Sequence, residues 1–274
     1  MYIRIPFQQL KLVGLLTLAF IAFNVAKTQA KSTQVAGSQV RFIPPPVPSQ
    51  DIPTGRRRGG ATRCPECQDN VLSLAALVPG SESKSSLALT ISKYPTFWFY
   101  LSYRVNAPRI LEFVLQDEED NYIYKTVFRT SETPTGIVSV SVPTSGLPLE
   151  IGKIYHWTFV LHYNPQQLSE YVVVSGSIQR VAPSPQLTHQ LEQVKLQKYA
   201  ALYATNGIWY DALTTLAMLR RKYPQDAGLT ANWIQLLQSV GLGDLATKPI
   251  AQCCNPKDQQ PYFVQPYNQF PTRI

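Results

Sequence analysis

The stretch Y-P-T-F-W-F-Y-L-S-Y, Tyr94–Tyr103, decides the fold. Six of its ten residues are aromatic, and aromatic enrichment over a short run predicts a strand. It is far shorter than the roughly 20 apolar residues that a membrane-spanning helix needs. Alternation sends Phe97, Phe99 and Leu101 to one face and Trp98, Tyr100 and Ser102 to the other. The first face is purely apolar; the second carries rings with polar handles. Pro95 stands at the start, where a missing N–H costs little. The stretch reads as a central strand of a β-sandwich, its rings part of the core. A second reading makes Trp98, Tyr100 and Tyr103 an exposed platform for a ligand such as a glycan.

Working outward, the β pattern runs from Val71 to Val181. Strands are predicted at Val71–Val78, Leu87–Ile91, Thr96–Tyr103, Ile110–Gln116, Tyr122–Phe128, Ile137–Val142, Tyr155–Tyr163 and Tyr171–Val181. Gly, Pro, Asn, Asp and Ser separate them at the spacing of an all-β, antiparallel immunoglobulin- or fibronectin-like sandwich, not of βαβ units. Asp117-Glu118-Glu119-Asp120-Asn121 reads as a solvated hairpin turn, because it lacks the spacing of a calcium loop. Trp157 reads as core. His156 and His162 lie six apart and so share a face, with no carboxylate or nucleophile at a readable spacing.

Pro183-Ser184-Pro185 ends the β pattern, and the period becomes helical. Helices are predicted over Leu187–Ala204, Tyr210–Tyr223 and Leu229–Val240, with Asn206-Gly207 as a turn and Gly241 as a stop. Tyr203, Gly207, Ala212, Leu216, Leu219 and Pro224 fall where a tetratricopeptide repeat places its aromatic, turn glycine, small residue, packing residues and terminal proline. Residues 193–226 therefore resemble one such repeat, followed by one more helix. One repeat cannot bury its own face, so it must pack on the sandwich or receive a partner.

The ends set the compartment. Arg4 and Lys11 precede the apolar run Leu12–Val25, and Thr28-Gln29-Ala30 gives a small-x-small ending. Residues 1–30 thus read as a secretory signal peptide for a periplasmic or extracellular protein, with an uncleaved N-terminal anchor as the alternative. Residues 31–63, with five prolines between Phe42 and Pro53 and then Arg56-Arg57-Arg58-Gly59-Gly60-Ala61-Thr62-Arg63, read as a disordered linker. Its arginines Arg56, Arg57, Arg58 and Arg63 are candidates for binding phosphate, anionic lipid or acidic polysaccharide. The sandwich then covers 64–183, the helical region 184–246, and a disordered tail rich in Gln, Pro and Tyr 247–274. Cys64, Cys67, Cys253 and Cys254 are disulfide candidates whose connectivity the sequence leaves open. Adjacent Cys253-Cys254 does not supply the second Cys-x-x-Cys of a zinc ribbon.

Charged residues are sparse at 15% of 274, and the net charge is +8. Three of those positive charges, Arg4, Lys11 and Lys27, belong to the leader. There is no sustained Lys/Arg helix and no nucleic-acid motif. Three histidines and one acidic loop make no catalytic pattern, so neither an enzyme nor a cofactor is expected.

R-R-R-G-G-A-T-R-C, Y-P-T-F-W-F-Y, E-F-V-L-Q-D, Y-H-W-T-F and G-I-W-Y-D-A-L-T-T-L, in this order after a leader and a Pro-rich segment, resemble the cyanobacterial family called domain of unknown function 928 over residues 55–245. The resemblance implies an extracytoplasmic protein of that lineage and implies no activity. It also implies a cysteine near His162-Tyr163-Asn164-Pro165; this chain has none there, which puts any family disulfide from Cys64 or Cys67 in doubt.

The leading expectation is a non-enzymatic interaction or scaffold module of the cell envelope with a protein partner. Its contact candidates are Tyr203, Trp209, Tyr210, Asp211, Arg220 and Arg221. The alternative is a protein that binds envelope polysaccharide or another anionic polymer, or a lipid surface, through the aromatic platform and the arginines.

Overall fold

The structure, a computed structural model, describes residues 40–46, 55–59, 72–81, 86–103, 108–130 and 135–251. The leader, all four cysteines, Arg63 and the tail from Gln252 lie outside the described residues. All eight strands form: β1 Leu72–Ala76, β2 Ala88–Thr90, β3 Thr96–Tyr103, β4 Arg109–Gln116, β5 Tyr122–Thr130, β6 Gly136–Ser141, β7 Ile154–Asn164 and β8 Gln167–Arg180. Helices follow at α1 Pro185–Glu192, α2 Tyr199–Thr205, α3 Trp209–Lys222 and α4 Ala227–Gln238. The fold is β plus α. Among the described residues, no helix is long and apolar enough to cross a membrane.

The strands make two sheets, one in the order β1-β3-β6 and one in the order β2-β8-β7-β4-β5. Pairing is antiparallel except that β2 runs parallel to β8, with Ala88 opposite Ile178, so the second sheet is mixed and the expected all-antiparallel arrangement is corrected. Turn punctuation marks where strands end but not which strand a short segment joins. β2 adds to the far end of β8, not to its sequence neighbour β3.

The aromatic stretch is the centre of the smaller sheet. Its apolar face meets the larger sheet: Phe99 stacks on Phe159 at 4.1 Å and Phe97 tilts against Phe113 at 4.8 Å. The opposite face is covered as well. The Trp98 indole N–H donates to Thr214 Oγ1 of α3 at 3.0 Å, and the Arg221 guanidinium lies 5.0 Å from its ring centre. Lys248 lies 5.8 Å from the Tyr100 ring centre. Trp98 and Tyr100 are 2% and 7% exposed, so β3 carries rings on both faces because both are buried.

The helical region departs from its predicted bounds at one place. Leu187–Ala204 is two helices, separated by Gln193–Lys195 and a 3₁₀ turn at Leu196–Lys198. The reason is phase. At about 100° per residue, Leu187 and Ala200 would point about 140° apart on one straight helix, yet both are buried. The break lets each face inward. Ser184 caps α1 by accepting from the Leu187 N–H, and Asp226 caps α4 by accepting from the Leu229 N–H. Between α2 and α3, Gly207 holds φ +74°, and a Cβ there would crowd the Ile43 carbonyl at 3.3 Å.

Two pieces of the stretch expected to be a disordered linker are packed. Val40 and Phe42 are buried, with Phe42 edge-on to Trp209 at 5.1 Å. Residues 55–59 stitch the two sheets together. Ser175 N–H donates to the Arg56 carbonyl, Ala76 N–H to the Arg57 carbonyl, and Gly59 N–H to the Leu74 carbonyl. A Cβ on Gly59 would run into Val172 Cγ2, so only glycine passes there. The start of the expected tail is ordered too. Pro249–Ala251 pairs with the free edge of β6 through Ile137 N–H to the Pro249 carbonyl and Ala251 N–H to the Ile137 carbonyl.

Candidate functional site

Five of the residues singled out from sequence, Arg57, Trp98, Tyr100, Trp209 and Tyr210, are buried in the fold. Trp209 and Tyr210, the first two residues of α3, are 0% and 2% exposed. The Trp209 indole donates to the Leu77 carbonyl at 2.8 Å, at the end of β1. Tyr210 packs on Phe97 at 5.2 Å, and its hydroxyl accepts from the Trp157 indole at 2.8 Å. Burial holds its pKa far above the ordinary tyrosine value, so the hydroxyl stays protonated. These two side chains peg α3 into the strands. Replacing the Tyr210 hydroxyl would strand a buried N–H.

The arginine run is divided in the same way. Arg57 is 1% exposed. Its guanidinium donates to the carbonyls of Gly80 at 2.8 Å, Val240 at 2.7 Å and Gly241 at 3.1 Å. It thus ties the strand connection after β1 to the chain just past α4, where helix carbonyls lack partners of their own. Arg58 holds both Asp244 carboxylate oxygens at 2.9 Å. Arg56 is exposed and pairs through its backbone. As an anion ligand Arg57 is corrected, because it is committed inside the fold; Arg58 already pairs with Asp244 at the surface. Trp98 and Tyr100 are corrected as a ligand platform, because α3 and Lys248 cover them; the Tyr103 side chain lies outside what is described. Arg220 and Arg221 lie over Trp233 and Trp98, and Arg221 also donates to the Ala251 carbonyl.

His156 and His162 do share the outward face of the larger sheet. His156 Nδ1 is 3.0 Å from Ser177 Oγ, and His162 Nδ1 is 3.0 Å from the Leu168 carbonyl oxygen. In the acidic turn, Asp117 accepts from the backbone N–H groups of Glu119 and Asn121. Among the described residues, no group of three His, Cys, Asp or Glu is placed to hold a metal.

Two of the contact candidates do converge on open space. A cleft of about 130 Å³ lies between the α2–α3 hairpin and the chain entering β3. The strand side supplies Thr90, Ser92, Tyr94, Pro95 and Thr96; the helical side supplies Tyr203 from α2 and, from α3, Tyr210, Asp211, Thr214 and Thr215. Eight of these ten side chains carry a hydroxyl, and Asp211 is the one that carries a charge.

Asp211 stands in the first turn of α3, where the helix dipole favours an anion. Its Oδ2 accepts from Thr90 Oγ1 at 2.7 Å and from the Ile91 N–H at 3.2 Å. Burial raises its pKa above the usual carboxylate value, opposed by those hydrogen bonds. Among the described residues, no Lys, Arg or His forms an ion pair with Asp211. Tyr203 is half-buried and edge-on to Tyr199 at 6.0 Å. Its pKa is pushed up to about 12, first by burial and then by the negative charge of Asp211. The cleft therefore presents a phenol that stays protonated at neutral pH beside an acidic group shielded from water.

The helical periodicity pointed to Tyr203 and Asp211. It had no means of pointing to Thr90, Ser92 or Tyr94, whose hydroxyls follow no spacing and arrive from more than 100 residues away in the chain. A family model described as Domain of Unknown Function (DUF928) matches residues 58–250. No curated protein and no solved structure matches.

Proposed function

The chain belongs to the DUF928 family, a domain of unknown function, and from that premise we propose that the protein is a non-enzymatic extracytoplasmic interaction module. Its leader pattern supports the compartment. In this reading the two sheets form a sandwich-like scaffold and α2–α3 a tetratricopeptide-like hairpin, with Ala212 fully buried at the helix contact. The single observation that carries the reading is the cleft: the hairpin packs on the strands through Trp209 and Tyr210 and leaves a polar opening beside them. The carboxylate there is held by Thr90 and Ile91 and is surrounded by hydroxyls, an arrangement suited to recognition rather than to proton transfer.

The test is crosslinking of the tagged full chain in intact source cells, from photoreactive residues at Thr215 and Tyr94. One envelope protein captured from both positions is the expected result; no protein captured from either would sink the reading. The hydroxyl lining favours envelope polysaccharide as the second reading. It predicts retention on insoluble envelope polysaccharide, lost on Tyr203→Ala.

A further inference from the structure

Resting on the interaction reading, we infer that the cleft is a pocket for one basic side chain, a lysine or arginine of the partner. Three observations lead there.

The first is charge. Asp211 is the cleft's single charged residue, and among the described residues no Lys, Arg or His forms an ion pair with it. Elsewhere three carboxylates are ion-paired, Asp244 with Arg58, Glu112 with Lys125 and Glu150 with Lys153, and others such as Glu118, Glu119 and Asp120 are exposed to water, whereas Asp211 is held in the cleft by hydrogen bonds. Asp211 has the helix N-terminus and two hydrogen bonds to oppose the cost of its shielding from water. An incoming cation would add to these, and the attraction is larger in a half-enclosed cleft than in bulk water.

The second is the lining. Thr90 Oγ1 already donates to Asp211 and accepts from the Ser92 N–H at 3.0 Å; Thr214 Oγ1 accepts from Trp98. Hydroxyl oxygens around one carboxylate suit the several N–H donors of an ammonium or guanidinium. Tyr94 and Tyr203 line the same cleft, and aromatic rings attract cations within about 6 Å.

The third is size. A volume of 130 Å³ equals that of about four waters at roughly 30 Å³ each. That is room enough for one side chain. A cationic guest is recognised here by charge complementarity at a single point, which fixes register more than it adds affinity.

The experiment is an NMR titration of the full chain with three blocked tripeptides: acetyl-Gly-Lys-Gly-amide, its arginine counterpart, and a norleucine control that keeps the length of lysine without its charge. Methyl glucoside forms a fourth arm. The expected result is saturating shifts at Tyr203, Asp211 and Thr215 with a basic peptide and none with norleucine. Asp211→Asn weakens binding by roughly tenfold, the loss of one charged hydrogen bond. Thr215→Glu, one helical turn on and at the rim, tightens it about two- to fivefold as a partly exposed ion pair would. The gain in the second variant cannot come from misfolding. Equal shifts with norleucine, saturation by methyl glucoside alone, or unchanged affinity in Asp211→Asn overturns the inference. If the basic peptides fail while crosslinks still reach an envelope protein, the pocket inference falls and the interaction module stands. If they saturate but no protein is captured in cells, the pocket stands and the module falls.

Discussion

Successive residues of α3 meet the strands in opposite ways. Trp209 and Tyr210 enter a closed joint where every polar atom is spoken for: indole to the Leu77 carbonyl, hydroxyl to the Trp157 indole. Arg57 closes the far side of the helical layer in the same manner, on three carbonyls. Asp211, the very next residue of the helix, lines an open cleft and has hydrogen bonds but, among the described residues, no ion-pair partner. The lesson is that burial and charge do not by themselves mark a site. Arg57 is the more deeply buried charge, yet its partners are fixed parts of the fold, so it is a strut. Asp211 keeps its hydrogen-bond partners but lines open space, as the proposed pocket requires. Substitutions in the closed joint should cost stability; substitutions in the cleft should cost binding and little else.

The largest effect is expected at Trp209. Trp209→Ala removes a fully buried indole, its hydrogen bond and the Phe42 contact, and should cost about 3–5 kcal/mol in urea unfolding. A melting temperature equal to that of the unchanged protein would mean that this joint is not closed at all. Next is Arg57→Met, which keeps much of the side chain's bulk and removes the guanidinium. The carbonyls of Gly80, Val240 and Gly241 lose their donor, and a loss of about 2–4 kcal/mol is expected. Hydrogen exchange should quicken first at Val240–Leu242, since that is what the strut holds. Tyr210→Phe is milder still. It strands the Trp157 N–H without opening a cavity and should cost about 1–3 kcal/mol, read by the same unfolding curves.

The joint and the cleft were not equally legible in the sequence. Strand positions were, because alternation and turn residues are local signals: β3 runs over Thr96–Tyr103 as predicted. The aromatic stretch even carried the sign of a third layer, rings on both faces. A two-sheet picture has one buried face per sheet, so a platform at Trp98 and Tyr100 stood as a second reading beside core packing, although α3 and Lys248, more than 100 residues away, cover them. Arg57 was illegible for a related reason. An arginine between arginines and glycines looks solvated, and its three acceptors lie 23, 183 and 184 residues off. Helical phase pointed to Tyr203 and Asp211, but one periodic pattern describes a single wall, and the other wall comes from the strands.

The smallest effect, and the sharpest test of the contrast, is expected at Asp211. Asp211→Asn keeps an oxygen to accept from Thr90 and Ile91, so stability at neutral pH should stay within about 1 kcal/mol of the unchanged protein. The informative quantity is its pH dependence. Burial raises the Asp211 pKa in the folded chain above the ordinary value of 3.8. Between those two values the folded state binds more protons than the unfolded one, so this group makes stability fall as pH rises through the window. Tyr203, pushed up to about 12, does not titrate there. The asparagine variant should therefore lack that decline. Its melting temperature relative to the unchanged protein should be highest at neutral pH and sink toward pH 4. A difference that stays flat with pH would mean that Asp211 is as well compensated as Arg57, and the distinction between strut and open site would collapse.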